Sequence, residues 1–126
     1  MTRVLIVDDS LTIRKIVSDI VIKIGGSVVA TAADGDEGVN LFKTHSPDLV
    51  ILDITMPNKD GRECLQEILT INPRSVVVML SAINSPELIK ECLALGAKSF
   101  LSKTTGLTDG SLASDLRRFV ANPKAA

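Results

Sequence analysis

Aromatic residues are nearly absent from this chain. They make up 2% of its 126 residues, as three Phe with no Trp and no Tyr. Its core must therefore be aliphatic, built from Val, Ile and Leu. A surface that stacks single-stranded bases is excluded, because such surfaces need aromatic rings. A flavin held between aromatic side chains is disfavoured for the same reason. Charge of one sign is missing too. The chain carries 14 Lys and Arg against 15 Asp and Glu, a formal net charge of −1. That balance provides no general attraction to nucleic acid or an anionic membrane. Cysteine is scarce: Cys64 and Cys92 stand too far apart for a metal or redox spacing. Both fall in helical patterns, which suits buried thiols. The one histidine, His45, closes a helical segment and reads as solvated rather than catalytic. No apolar run approaches membrane-spanning length, and the N-terminal run is too short for a signal peptide. The expected setting is soluble, reducing and cytoplasmic.

What the chain does have is a repeated pattern. Hydrophobic residues make up 45% and charged residues 23%, a globular composition that at this length suits one domain. Four apolar runs each end in a residue suited to phosphoryl chemistry. Residues 4–7 lead to Asp8 and Asp9, 49–52 to Asp53, 76–80 to Ser81, and the run around Phe100 to Lys103.

Strands and helices alternate. Strands are expected at 3–7, 27–32, 48–53, 75–80 and 98–102. Helices are expected at about 11–24 after Ser10, from Asp34 or Asp36 to before Pro47, at 62–71, from Pro86 to Gly96, and at 111–121. Residues 105–110 read as a polar, glycine-containing loop, and 122–126 as a frayed tail. Helix one carries Ile13, Val17, Ile20 and Ile24 on its inner side, and of its further apolar residues, including Ile16, Val21 and Ile22, most are expected to face the sheet. The fold class is α/β: a doubly wound, five-stranded parallel sheet in the flavodoxin-like order 2-1-3-4-5, in three α/β/α layers.

All five polar residues would then meet at the carboxyl edge of one sheet, where open α/β folds bind ligands. Adjacent acids before a helix are often only caps. A nucleotide site needs the opposite, a glycine-rich turn offering N–H groups to phosphate. Three gathered carboxylates repel one another, and structure alone gives no reason to collect them. A hard divalent ion does, and Mg²⁺ suits oxygen donors. Calcium is disfavoured because no twelve-residue loop supplies enough oxygens. Ser81 alone could be a linker hydroxyl and Lys103 alone a surface lysine. Their shared position opposite the acids makes them a phosphoryl-binding pair.

These residues carry a resemblance. Asp8–Asp9, Asp53 with Met56–Pro57, Asp60–Gly61, Ser81–Ala82 and Lys103 stand where a response-regulator receiver domain has them. The chain resembles that family over essentially its whole length, 1–126, and most closely the stand-alone chemotaxis type. The resemblance implies that Asp53 accepts a phosphoryl group from a phosphohistidine on a histidine kinase or phosphotransfer protein. It implies Mg²⁺ held by Asp9, Asp53 and the backbone carbonyl of Thr55, with Asp8 acting through water. Lys103 and Ser81 would each hold a phosphoryl oxygen. Ser81 and Phe100 would pass the event to a face made by the fourth helix, fifth strand and last helix. The implied protein is a monomeric switch rather than an enzyme, limited to self-catalysed phosphotransfer and autodephosphorylation. Its partners would be the kinase and a downstream protein, a flagellar motor switch among the candidates, with no nucleic acid and no membrane insertion. Leu11 and Arg14 are expected to help dock the phosphohistidine partner. Thr55 and Ile83 are expected to line the path of hydrolytic water.

Three other readings remain open: a phosphate sink, a phosphorylation-independent binding module, and an aspartate-nucleophile phosphatase. The last generally needs a second acid two residues after the nucleophile, where this chain has Thr55. One departure from the family stands out. Most members follow the lysine with a cis proline, whereas Lys103 is followed by Thr104. A cis bond before a non-proline residue costs about 2.5–4 kcal/mol. The expectation is either a trans bond with an altered loop or a strained cis bond.

Overall fold

The computed structural model of the protein describes residues 1–83 and 85–124. The first half of the chain runs β1 (Arg3–Val7), α1 (Leu11–Lys23), β2 (Ser27–Ala32), α2 (Gly35–His45), β3 (Leu49–Asp53) and α3 (Gly61–Ile71). The second half runs β4 (Val77–Ser81), α4 (Pro86–Leu95), β5 (Ser99–Ser102), α5 (Lys103–Asp109) and α6 (Ser111–Ala121). Every strand pairing is parallel, in the order β2-β1-β3-β4-β5.

The central strands are apolar runs because both of their faces are buried. Alternate residues point opposite ways. Leu5, Val7, Val50, Leu52, Val77 and Met79 therefore pack under α2, α3 and α4. Val4, Ile6, Leu49, Ile51, Val78 and Leu80 pack under α1 and α6. Cys64 and Cys92 are fully buried in the first layer. Burial pushes the Cys64 thiol up to about 12, so it behaves as a core residue. Among the described residues no helix is long and apolar enough to cross a membrane.

Helix starts follow their capping residues. Ser10, Asp34, Asp60 and Ser85 each accept a hydrogen bond from a first-turn N–H. Gly96, in the left-handed region at φ 116°, ends α4.

Four details differ from the sequence reading. Strand β4 starts at Val77 instead of residue 75 and includes Ser81 as its last residue. Helix α1 buries one stripe only, Val17 and Val21, flanked by half-buried Ile13, Ile20 and Ile24. Ile16 and Ile22 lie outside it, Ile22 being 61% exposed, because a 3.6-residue period allows one sheet-facing stripe. Strands β3 and β5 start at Leu49 and Ser99 rather than at 48 and 98. The fourth difference is the largest. Residues 105–110 are not a loop, for α5 runs through them to Asp109 before Gly110 turns at φ 78°.

Helix α5 forms for three local reasons. The Ser102 hydroxyl caps it by accepting from the Thr105 N–H at 3.3 Å. Leu107 packs into the α1/α6 core layer. Gly106 lets α5 lie against α6, since a Cβ there would sit 3.1 Å from Leu112 Cβ. These contacts override the weak helix propensity of a Thr- and Gly-rich stretch. The Lys103–Thr104 bond is trans, as are all bonds among the described residues. A proline at 104 would drive Lys103 out of the helical region. Thr104 is what allows the helix to start at Lys103. At the tail, the Asn122 N–H donates to the Arg118 carbonyl at 3.0 Å, and the part of the expected frayed segment from 125 on lies outside the described residues.

Thr104→Pro is accordingly expected to take Lys103 out of α5, so that the helix starts one residue later while α6 stays in place. Backbone carbon shifts of Lys103 should move from helical to extended values. Helical shifts persisting at Lys103 in the variant would contradict this account.

Candidate functional site

Strand register delivers the site. Val7 pairs with Leu52, so Asp8 and Asp53 leave the sheet on the same rung. Asp53 pairs with Leu80, and Ser81 with Ser102, which puts Lys103 one residue beyond. The sequence reading placed these residues at one edge, and they are there.

Lys103 is the hub. Its Nζ lies 2.6 Å from Asp8 Oδ2 and 3.2 Å from Asp53 Oδ1. Both carboxylates are almost wholly buried, at 2% and 4% exposure. Asp8 Oδ2 receives no well-directed hydrogen bond, so the ammonium beside it is what offsets its charge. Asp8 Oδ1 accepts from the Ser10 N–H at 2.9 Å. The exposed Asp9 completes the group, and its carboxylate oxygen lies within 4.8 Å of those of Asp8 and Asp53.

Three carboxylates thus share one close cation. Burial raises the Asp53 carboxyl from an ordinary 3.8 to about 6, Asp8 adds to the rise, and Lys103 opposes it. Burial works against the Lys103 ammonium, but bonding and attraction from Asp8 and Asp53 outweigh it and lift its pKa. The deficit of positive charge is what a hard cation would relieve. An all-oxygen donor set of this kind fits Mg²⁺.

The loop after β3 is held by backbone contacts. Gly61 sits so close that a Cβ would lie 2.2 Å from the Asp53 carbonyl oxygen. The Asp60–Gly61 pair is therefore required by crowding as well as by the cap. Asn58, at φ 70°, donates through Nδ2 to Asp34 Oδ2 at 3.2 Å, tying the loop to the α2 cap. Thr55 is exposed at the loop's start, while Met56 turns into the core.

Ser81 is buried and, among the described residues, makes no bond to Asp53 or Lys103. Its hydroxyl oxygen accepts instead from the Ile83 N–H at 3.0 Å. Phe100 is half-buried against the α2–α4 layer. Strand alternation sets Ser81 and Phe100 on the same face. Ile83 is 48% exposed nearby in sequence. Leu11 is exposed, but Arg14 is not spread over the surface beside it. Its Nη1 donates to the Asp8 carbonyl at 2.6 Å. That contact had no sequence signal, because it needs the turn at residues 8–10 to fold the α1 face back over β1. His45 is half-buried, and its carbonyl accepts from Arg3 Nη1.

Acids, a lysine and a hydroxyl thus meet at the carboxyl edge of a doubly wound sheet, the edge where such folds bind ligands. Residues 4–113 match the response regulator receiver domain, and the chain belongs to that family. Within it the likeness runs to stand-alone chemotaxis proteins. The chain is 43% identical over 101 residues to the chemotaxis protein CheY of Bacillus subtilis (strain 168), covering 80% of this chain and 84% of that one. It is 45% identical over 103 residues to CheY of Treponema pallidum (strain Nichols), covering 80% and 72%. Among solved structures, a chain of the CheX–CheY–BeF3–Mg²⁺ complex from Borrelia burgdorferi matches with a TM-score of 0.85 at 39% identity, over 94% of this chain and 90% of that one. The protein is a receiver domain of the CheY-like type in two-component signalling.

The Asp53 environment has a consequence for stability. The folded chain holds this proton more tightly than the unfolded chain. Its contribution therefore favours folding below about pH 3.8 and is lost as pH rises through about 6. In divalent-free buffer, Asp53→Asn should exceed the wild type in stability by about 1–3 kcal/mol near pH 8, with the gap closing toward about pH 3. Urea unfolding across that range measures it. A gap independent of pH would refute the assignment of the strain to Asp53.

Proposed function

We propose that the protein is a phosphorylatable switch in which Asp53 accepts a phosphoryl group from a partner phosphohistidine. The observation that carries this reading is the Lys103 ammonium held between two buried carboxylates, 2.6 and 3.2 Å away, with a third acid beside them. A carboxylate at this edge can attack phosphorus in line. The new bond is from an Asp53 oxygen to phosphorus. The bond that breaks is from phosphorus to the histidine nitrogen, which keeps the electron pair and leaves as imidazole after taking a proton.

Asp9, Asp53 and the Thr55 backbone carbonyl would hold Mg²⁺, with Asp8 acting through water. When bound, the ion supplies a Lewis acid that offsets charge on the transferred group. Lys103 pairs with one phosphoryl oxygen, which requires its ammonium to shift some attraction from Asp8 and Asp53. The Ser81 hydroxyl turns from the Ile83 N–H to another oxygen. That movement clears space beside Phe100, whose ring lacks a hydroxyl and so responds through packing alone. The affected face comprises α4, β5 and the helices after it, and a partner that binds it biases the active population.

Residues 1–126 act as one receiver domain, in the cytoplasm. The kinase or phosphotransfer protein supplies the phosphoryl group, and a downstream protein reads the result. Relatives that are chemotaxis proteins favour a chemotaxis pathway. A flagellar motor switch is the first target to test.

Incubation with a small acyl phosphate and Mg²⁺ should add one base-labile phosphoryl mass at Asp53. Chelating the ion should abolish it, and Lys103→Met should slow it by about 10²-fold or more, the scale for removing one such electrostatic contact. An unchanged mass increase in Asp53→Ala would refute the assignment.

A further inference from the structure

Asp8 is hydrogen-bonded through its N–H, its carbonyl and its Oδ1, and ion-paired through its Oδ2. Its N–H donates to the Ala32 carbonyl at 3.0 Å. Its Oδ1 accepts from Ser10, and its Oδ2 faces Lys103. Its carbonyl accepts from Arg14 Nη1 at 2.6 Å, a short charge-assisted bond. Asp9 is the reverse. It is exposed, and among the described residues no hydrogen bond or ion pair to its carboxylate is found. Its direction depends on the backbone alone, and the peptide leading into it is the one whose carbonyl Arg14 grips.

Arg14 has an alternative. It lines a groove of about 380 Å³ beside β2 together with Leu11, Lys15, Ser18, Asp19 and Thr31. An arginine near a carboxylate ordinarily pairs with it, yet Arg14 forms no ion pair with Asp19 and bonds the Asp8 carbonyl instead. Helix α1 makes this possible. The Arg14 N–H donates to the Ser10 carbonyl at 2.9 Å, so the side chain rises from the first turn directly over the acid turn.

We infer that Arg14 is a positioning residue, whose guanidinium locks the Asp8–Asp9 peptide so that both carboxylates face one point. This role is separate from the docking role expected from the sequence, and it rests on reading the three acids as a divalent-ion site. Removing an outer partner that orients a ligand typically weakens metal affinity about 10–100-fold.

Arg14→Met keeps the aliphatic stem and loses the donor. Mg²⁺ titration followed by NMR chemical shifts should show affinity falling by about 10-fold or more, with partial recovery in Arg14→Lys. In metal-free protein, amide exchange at Asp9 and Ser10 should accelerate in Arg14→Met, while exchange in β3 stays as in the wild type. A merely structural role would leave affinity unchanged, and a docking role would weaken partner binding only. Mg²⁺ affinity within about twofold of wild type, together with unchanged exchange, overturns the inference. A wild type that shows no saturable response to Mg²⁺ would instead sink the metal reading, and the exchange measurement would then decide the positioning claim by itself.

Discussion

One ammonium among three carboxylates is the constraint on which the rest of the structure turns. Burying Asp8 and Asp53 is costly unless a cation compensates them. Lys103 supplies that compensation from a different strand end, 2.6 and 3.2 Å away. Its single charge does not offset three acids, and burial, with repulsion from Asp8 added, holds the Asp53 pKa up at about 6. An all-oxygen donor set in this condition fits a divalent ion.

Holding such a site requires a frame that does not yield. The sheet provides it through register, since β1, β3, β4 and β5 end in step. The connecting loops are pinned as well. Gly61 nests against the Asp53 backbone, Asn58 reaches the α2 cap, and Arg14 fixes the Asp8 carbonyl. Ser81 is the exception. Among the described residues its hydroxyl oxygen is engaged only by a loop N–H, from Ile83. The residue best placed to move is therefore the one between the acids and the Phe100 face.

Thr104 changes how the last part of the fold is attached. Because Lys103 opens α5, the lysine belongs to the site and to a helix at once. Movement of its ammonium acts on a helix whose Gly106 lies against Leu112 of α6. In chains where proline follows the lysine, the residue before it is kept extended and that continuity is lost.

The order of elements, the five polar residues at strand ends and the layer of Val, Ile and Leu were all readable from sequence. They depend on local periodicity, capping and chain punctuation, which act over a few residues. Ser10 and Ser85 could be recognised as caps for that reason. Helix α5 was not readable, since Thr and Gly have weak helical preference and its stability comes from Leu107 and Leu112 across the chain. The exposure of Ile16 and Ile22 was hidden likewise, because an apolar residue carries no mark of which side of a helix finds the sheet. The turn of Arg14 onto Asp8 was decided only by tertiary folding. A guanidinium chooses its acceptor by distance, and the distance did not exist until α1 had packed over β1.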